Sequence, residues 1–237
     1  KNSVKTITVL NIMSKNIYGS LFMTLSMFGY ASTDAVIKYL GLILPLSEII
    51  FLRGIIAVFL LFLLTYIRKE LVVAIKRSQI KFLILRVFGD VGCTVFFLTA
   101  LINMELATAT AILQCLPLAL TFAAAIFLKE KVGLRRWSAI LLGFIGVLII
   151  IKPASENFNY YSLLALLAVV FIVIRDISTK RLDPSIPSTY VSFITAIAVT
   201  LTGLFFLPFQ DWIVPSKEII WGLSATAFFL IIGILFN

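Results

Sequence analysis

Histidine occurs nowhere in the sequence, which removes the commonest general base and a common transition-metal ligand. Cysteine occurs twice, as Cys93 and Cys115. Both lie inside apolar runs, so reduced, packed thiols are expected rather than a disulfide or a metal pair. Charge is scarce: 13% of residues are charged and 61% hydrophobic, where soluble chains carry about 25% and 45–50%. Too little polar surface remains to cover a water-facing body, so lipid must be most of the solvent. The net charge of +9 does not point to nucleic acid, because the basic residues form short clusters between apolar runs. The expected partner is the lipid bilayer.

What the sequence does have is long apolar runs. A helix needs about 20 residues to cross the hydrocarbon core. Runs near that length fall at about 17–38, 46–67, 80–102, 106–128, 137–151, 160–179, 188–208 and 218–236, which predicts eight spans. The fifth is short and carries Gly143 and Gly146, suited to close helix packing. The connection at 103–105 is so tight that spans three and four must form a hairpin. The chain begins at Lys1 rather than Met and stops at Asn237 directly after an apolar run, so both ends look cut. No cleavable signal is expected, since Ile17 to Leu40 exceeds a signal core.

Orientation follows from Lys and Arg. Fourteen of them flank the spans on one side, among them Lys5, Arg68, Arg77, Arg135 and Arg181, against Lys38, Lys152 and Lys217 on the other. This places the N-terminus and the even connections in the cytoplasm of a multi-pass protein.

Sliding the sequence on itself gives a match at an offset of 142. Tyr18 falls on Tyr160, Asp34 on Asp176, Lys38 on Lys180, Pro45 on Pro187, Ser47 on Thr189 and Phe51 on Phe193, without a gap. Five spans separate the copies, and an odd number makes the second enter the membrane from the opposite side. Such inverted repeats build many secondary transporters, with the substrate site near the midplane between halves. The expected fold is therefore an all-α polytopic membrane protein, an inverted five-plus-five helix repeat truncated here after about eight helices. Its first repeat is 17–153 and its second, incomplete, is 160–237; a complete second copy would bring the total to ten spans.

The stretch Leu106–Pro153 carries an Ala/Thr-rich start, Pro117, Glu130 closing the helix, Arg136-Trp137, and Gly143-Phe144-x-Gly146-Val147 running to Lys152-Pro153. Together with Asp34-x-x-x-Lys38, Glu48-x-x-x-x-Arg53 and Leu85-Arg86, it resembles the EamA-type carriers of the drug/metabolite transporter superfamily. Within that family the segments most resemble the S-adenosylmethionine uptake branch. The resemblance implies a carrier. Related carriers export amino acids, take up nucleosides or move other metabolites. We expect a bacterial inner membrane as the location, and a homodimer is left open.

Charges inside spans are expensive, so each needs a reason. Arg86 and Asp90 are four apart on one helical face and can pair along it. Arg86 would then bind a carboxylate or phosphate with Asp90 holding it, or the two would form a purely structural pair. Asp34 lies ~25 Å from the cytoplasmic start of its span and Arg53 ~12 Å from the outer start of the next, so the two could meet. Asp34 would take the cationic part of a zwitterion or a coupling proton, the bland alternative being a static gate pair. Tyr30, one turn earlier, would wall the site or simply pack. Thr110 and Gln114 share a face, and Pro117 frees the carbonyl of Leu113, which suits a cavity lining. Arg175 and Asp176 near the end of span six are gate candidates, although Arg175 also fits the positive-inside pattern. Glu130 reads as part of a solvated loop or as a latch.

Catalytic signatures are missing. H-E-x-x-H, G-x-S-x-G and phosphate-binding glycine loops do not occur. Phe88-Gly89-Asp90 fails the G-x-G-D pattern of intramembrane aspartyl proteases, because Val87 stands where Gly is needed, and Asp34 follows Thr33 rather than Tyr. No enzyme, cofactor or metal is expected. The sequence reads as a secondary carrier for a small polar or zwitterionic metabolite (amino-acid-, nucleoside- or S-adenosylmethionine-like), working by alternating access. Proton coupling would run through Asp34 or Asp90. The alternative is a non-transporting structural or sensory membrane subunit.

Overall fold

The structure is a computed structural model that describes residues 2–73, 75–127, 133–151 and 159–236, with the side chains of 2–17, Arg136 and 234–236 left aside. Glu130 and the Lys152-Pro153 end of span five lie outside the described residues. The elements are all helical: α1 (Asn2–Leu40), α2 (Leu46–Ile67), α3 (Arg77–Asn103), α4 (Leu106–Leu113), α5 (Leu116–Phe127), α6 (Leu134–Ile151), α7 (Tyr161–Lys180), α8 (Ser188–Phe206) and α9 (Lys217–Phe236), with a 3-10 turn at Leu207–Phe209. Each expected span has its helix. Helix is the only open-chain conformation that satisfies every backbone polar group in lipid without a partner strand.

Two elements depart from the expected outline. The fourth span is two helices, because Pro117 has no N–H to offer Leu113. The chain tightens there instead, with the Cys115 N–H on the Ile112 carbonyl at 3.1 Å. At the N-terminus, α1 runs unbroken for 39 residues, where a tail had been expected before Ile17. No proline interrupts it, and its first glycine is Gly19. Among the described residues, five helical segments are long and apolar enough to cross a membrane by length and composition: Leu46–Ile67, Arg77–Asn103, Leu106–Phe127, Tyr161–Lys180 and Ser188–Phe209. The apolar part of α6, Trp137–Ile151, is shorter.

Helices pair antiparallel, α3 along α7, α2 along α8 and α1 along α9, while α4 and α5 lie against α6 and α7. Small residues set the closest approaches. A Cβ at Gly89 would stand 2.8 Å from the Arg175 amide nitrogen and 2.9 Å from the Phe171 carbonyl. One at Gly29 would stand 2.7 Å from the Phe229 carbonyl. Gly143 closes on Leu118 as its sequence suggested, whereas the position of a Cβ at Gly146 has open space within 4 Å among the described residues. The buried core joins Ile37, Leu40, Ile49, Leu101, Ile112, Ala165 and Leu223 across most of these helices.

Helices α2 and α8 begin alike. Pro45 and Pro187, which correspond at the 142 offset, are the extended N-caps, with φ −60 ψ 147 and φ −61 ψ 136. Proline enforces that φ and holds the preceding chain out of the helix.

Candidate functional site

Glycines at 89 and 92 bring α3 so close to α7 that long side chains on the two helices reach across the seam. Arg175 Nη1 donates to Asp90 Oδ1 at 3.1 Å, and its Nε donates to Asp176 Oδ1 at 2.8 Å. All three side chains are largely covered, with 26–29% of each exposed. Arg86, one turn before Asp90, donates from Nη1 to the Thr179 hydroxyl at 3.2 Å, and its Nε is buried with no partner. The Phe88, Phe96 and Phe171 rings pack around this seam, with centroids 5.3 Å from Phe171 in both pairs.

The pairing differs from the expected one. Arg86 and Asp90 do not form an ion pair along α3; Asp90 is taken by Arg175 from the facing helix. A cross-helix partner held by two packed backbones needs less side-chain ordering than an i, i+4 pair of flexible chains. Arg175 commits its guanidinium to two carboxylates, bonds that its place in the positive-inside pattern did not suggest.

The remaining charges extend the cluster across the bundle. Tyr30 of α1 lies within electrostatic reach of Arg175, Asp90, Arg86 and Asp176, with its ring against Gly233 of α9. Arg53 of α2 is buried, 8% exposed, and feels Asp34, Asp90 and Cys93. Asp34 and Arg53 are thus neighbours, but no ion pair within 4 Å joins them, and neither holds another hydrogen bond among the described residues. A belt of alternating sign therefore runs from Asp34 through Arg53 and Asp90 to Arg175 and Asp176, linking four helices.

Chemically, the belt is half committed. Arg175 spends its donors on protein carboxylates, whereas Arg86 Nε, the Arg53 guanidinium and the Asp34 carboxylate keep capacity for another group. Two guanidinia and one carboxylate suit a ligand that carries both signs.

Thr110, Gln114 and Pro117 are not drawn into the belt by any hydrogen bond among the described residues. The Thr110 hydroxyl donates back to the Leu106 carbonyl at 2.9 Å, while Gln114 and Pro117 are exposed at the α4–α5 break.

The bonds of several further polar groups were not read from the sequence. Thr179 shares a face with Arg175 at i, i+4, a signal that spacing could have supplied. Lys38, read from sequence as an outer charge, a repeat match and part of the Asp34-x-x-x-Lys38 mark, donates to the Ile102 and Met104 carbonyls at 2.7 Å each and closes the C-terminus of α3. Glu48, fully buried at 0% exposure, accepts the Ile213 N–H at 3.1 Å. No spacing rule connects residues so far apart in the chain.

Comparison with known proteins gives three kinds of relative. Residues 17–152 match the EamA-like transporter family. The chain is 28% identical to the riboflavin transporter of Vibrio cholerae over 90% of its own length and 72% of that protein. It is 27% identical to the pseudopaline exporter of Pseudomonas aeruginosa, over 86% and 71%. It is 30% identical to the S-adenosylmethionine uptake transporter of Rickettsia conorii, over 81% and 65%.

Proposed function

The chain belongs to the EamA-like transporter family, and from that membership we propose that it is a secondary carrier of a small polar or zwitterionic metabolite, working by alternating access. The Arg175–Asp90 ion pair carries this reading, because it joins α3 of the first expected repeat to α7 of the second. A salt bridge on that seam is remade or broken whenever the halves rock. The charged belt beside it supplies groups for both ends of a zwitterion.

Helix packing supports the inverted repeat. The 142 offset turns α1 into α7 and α9 into α3, so exchange of the halves maps the α1–α9 pair onto α7–α3 and α2–α8 onto itself. Gly29 approaches Phe229 and Gly233 on α9, and Phe171, which corresponds to Gly29 at the 142 offset, is approached by Gly89 of α3.

The substrate candidates that the relatives suggest are S-adenosylmethionine, riboflavin and pseudopaline. Amino acids and nucleosides complete the panel. The finer readings are a bacterial inner membrane, a cytoplasmic N-terminus and proton coupling through Asp34 or Asp90. The lysine and arginine bias supports the orientation.

The test is flux into proteoliposomes. Arg86→Ala and Asp34→Asn are expected to abolish uptake while the protein still reaches the membrane. Full uptake in both variants would remove the belt as the binding site, and failed insertion in both would favour a structural role. Uptake that ignores an imposed pH gradient and survives Asp34→Asn and Asp90→Asn would exclude proton coupling.

A further inference from the structure

Two hydroxyls at corresponding positions fasten opposite faces of the bundle. Ser47 and Thr189 are 142 residues apart, and each is the second residue of its helix, after the N-cap Pro45 or Pro187. The Ser47 hydroxyl donates to Gln210 Oε1 at 2.5 Å, tying the start of α2 to the connection between α8 and α9. The Thr189 hydroxyl donates to Glu70 Oε2, tying the start of α8 to the connection between α2 and α3. The offset maps Gln210 onto 68 and Glu70 onto 212, so each hydroxyl holds the loop that corresponds to the other's. Because five spans separate the copies, α2 and α8 start on opposite faces.

Glu48 strengthens the first of these fastenings. A glutamate at the third helical position ordinarily reaches back to the N-cap N–H. Pro45 has none, so the carboxylate is released to another segment. It takes the Ile213 N–H at 3.1 Å, while Oε1 is buried without a partner. The second face has a different reinforcement: Lys76 reaches Asp183 at 3.7 Å, and Gln79 accepts the Asp183 N–H at 3.1 Å. Both fastenings are closed together in this structure.

We propose that Ser47–Gln210 with Glu48–Ile213, and Thr189–Glu70, are the two gate latches of the carrier, opened in alternation at opposite membrane faces. This rests on the alternating-access reading, but it concerns which bonds hold each face shut and not what is carried. Loss of one latch bond weakens closure of its own face only, so its effect must be one-sided.

The native Cys93 is a reporter for that asymmetry. It is buried beside the belt, its thiol donating to the Asp90 carbonyl at 3.2 Å. In a Cys115→Ala background, a membrane-impermeant maleimide is applied to either face of sealed vesicles. Ser47→Ala is expected to raise Cys93 labelling from the α2-start face by about fivefold, the population change that one ordinary hydrogen bond controls. Thr189→Val is expected to do the same from the opposite face. Glu48→Gln keeps an oxygen for Ile213 and is expected to label like the parent, whereas Glu48→Leu follows Ser47→Ala. Equal rises from both faces, or no change in either latch variant, overturn the proposal. As a second measure, Ser47→Cys with Gln210→Cys is expected to arrest flux on oxidation and restore it on reduction; undiminished flux across the formed disulfide overturns it. The labelling needs no substrate, so it tests the latches even where the search for the transported metabolite fails.

Discussion

Asp90 and Arg175 meet across the α3–α7 seam at 3.1 Å, 85 residues apart in the chain, and Arg175 binds its neighbour Asp176 with the same guanidinium. One cation thus serves two carboxylates, and its removal strands both.

Arg175→Gln is therefore expected to destabilise the folded protein by on the order of 3 kcal/mol, the scale for leaving a largely buried charge without its partner. The paired change Arg175→Gln with Asp90→Asn should cost less than the sum of the single changes. Thermal melting in detergent of the three variants, read as a double-mutant cycle, measures the coupling.

Gly89→Ala and Gly92→Ala separate backbone from side-chain closeness. At Gly89 a Cβ meets α7 main-chain atoms, which cannot turn aside, whereas at Gly92 it meets the Phe171 ring, which can rotate. Gly89→Ala should lose about 1–3 kcal/mol of stability, the usual scale of overpacking, and Gly92→Ala less. Gly146→Ala, with open space around it, should be neutral. Comparison of the three melting temperatures checks the order.

Lys38→Met removes both charged donors from the end of α3. Hydrogen bonds to charged groups contribute about 1.5–3 kcal/mol each, so a loss at the lower end of that range is expected for this partly buried site. Hydrogen exchange at the last turn of α3 should rise first, because those carbonyls lose their cap.

Outside the spans, the Asp183 carboxyl is held below its ordinary range, chiefly by the Ser185 backbone N–H, then by the Ser185 hydroxyl and by Lys76. A depressed carboxyl adds stability that is present above its unfolded value and lost as pH falls through the folded one. The 181–187 connection should loosen in that acid window, and Asp183→Asn should flatten the dependence. Proteolytic nicking of the connection against pH reads it directly.

Much of the fold was legible because spanning is a local property. Twenty apolar residues declare a helix wherever they occur, so a helix for each apolar run and the tight 103–105 connection could be placed from sequence, whereas the break at Pro117 could not. The proposed repeat rests on the equal spacing of Asp34 and Asp176, Pro45 and Pro187, and Ser47 and Thr189. The candidate site was legible in its members but not in its bonds. Arg86, Asp90 and Arg175 stood out as charges in apolar runs, yet i, i+4 spacing pointed Asp90 at Arg86.

Sequence by itself determined that this chain is a multi-pass helical protein of the membrane and which charges stand inside its apolar runs, since hydropathy acts residue by residue along a helix. Only the tertiary structure decided that Arg175 takes Asp90, that Lys38 closes α3, and that Glu48 holds Ile213. Those choices depend on which helices touch and how closely, which the contact of Gly89 with the α7 backbone fixes through sterics that no local spacing encodes.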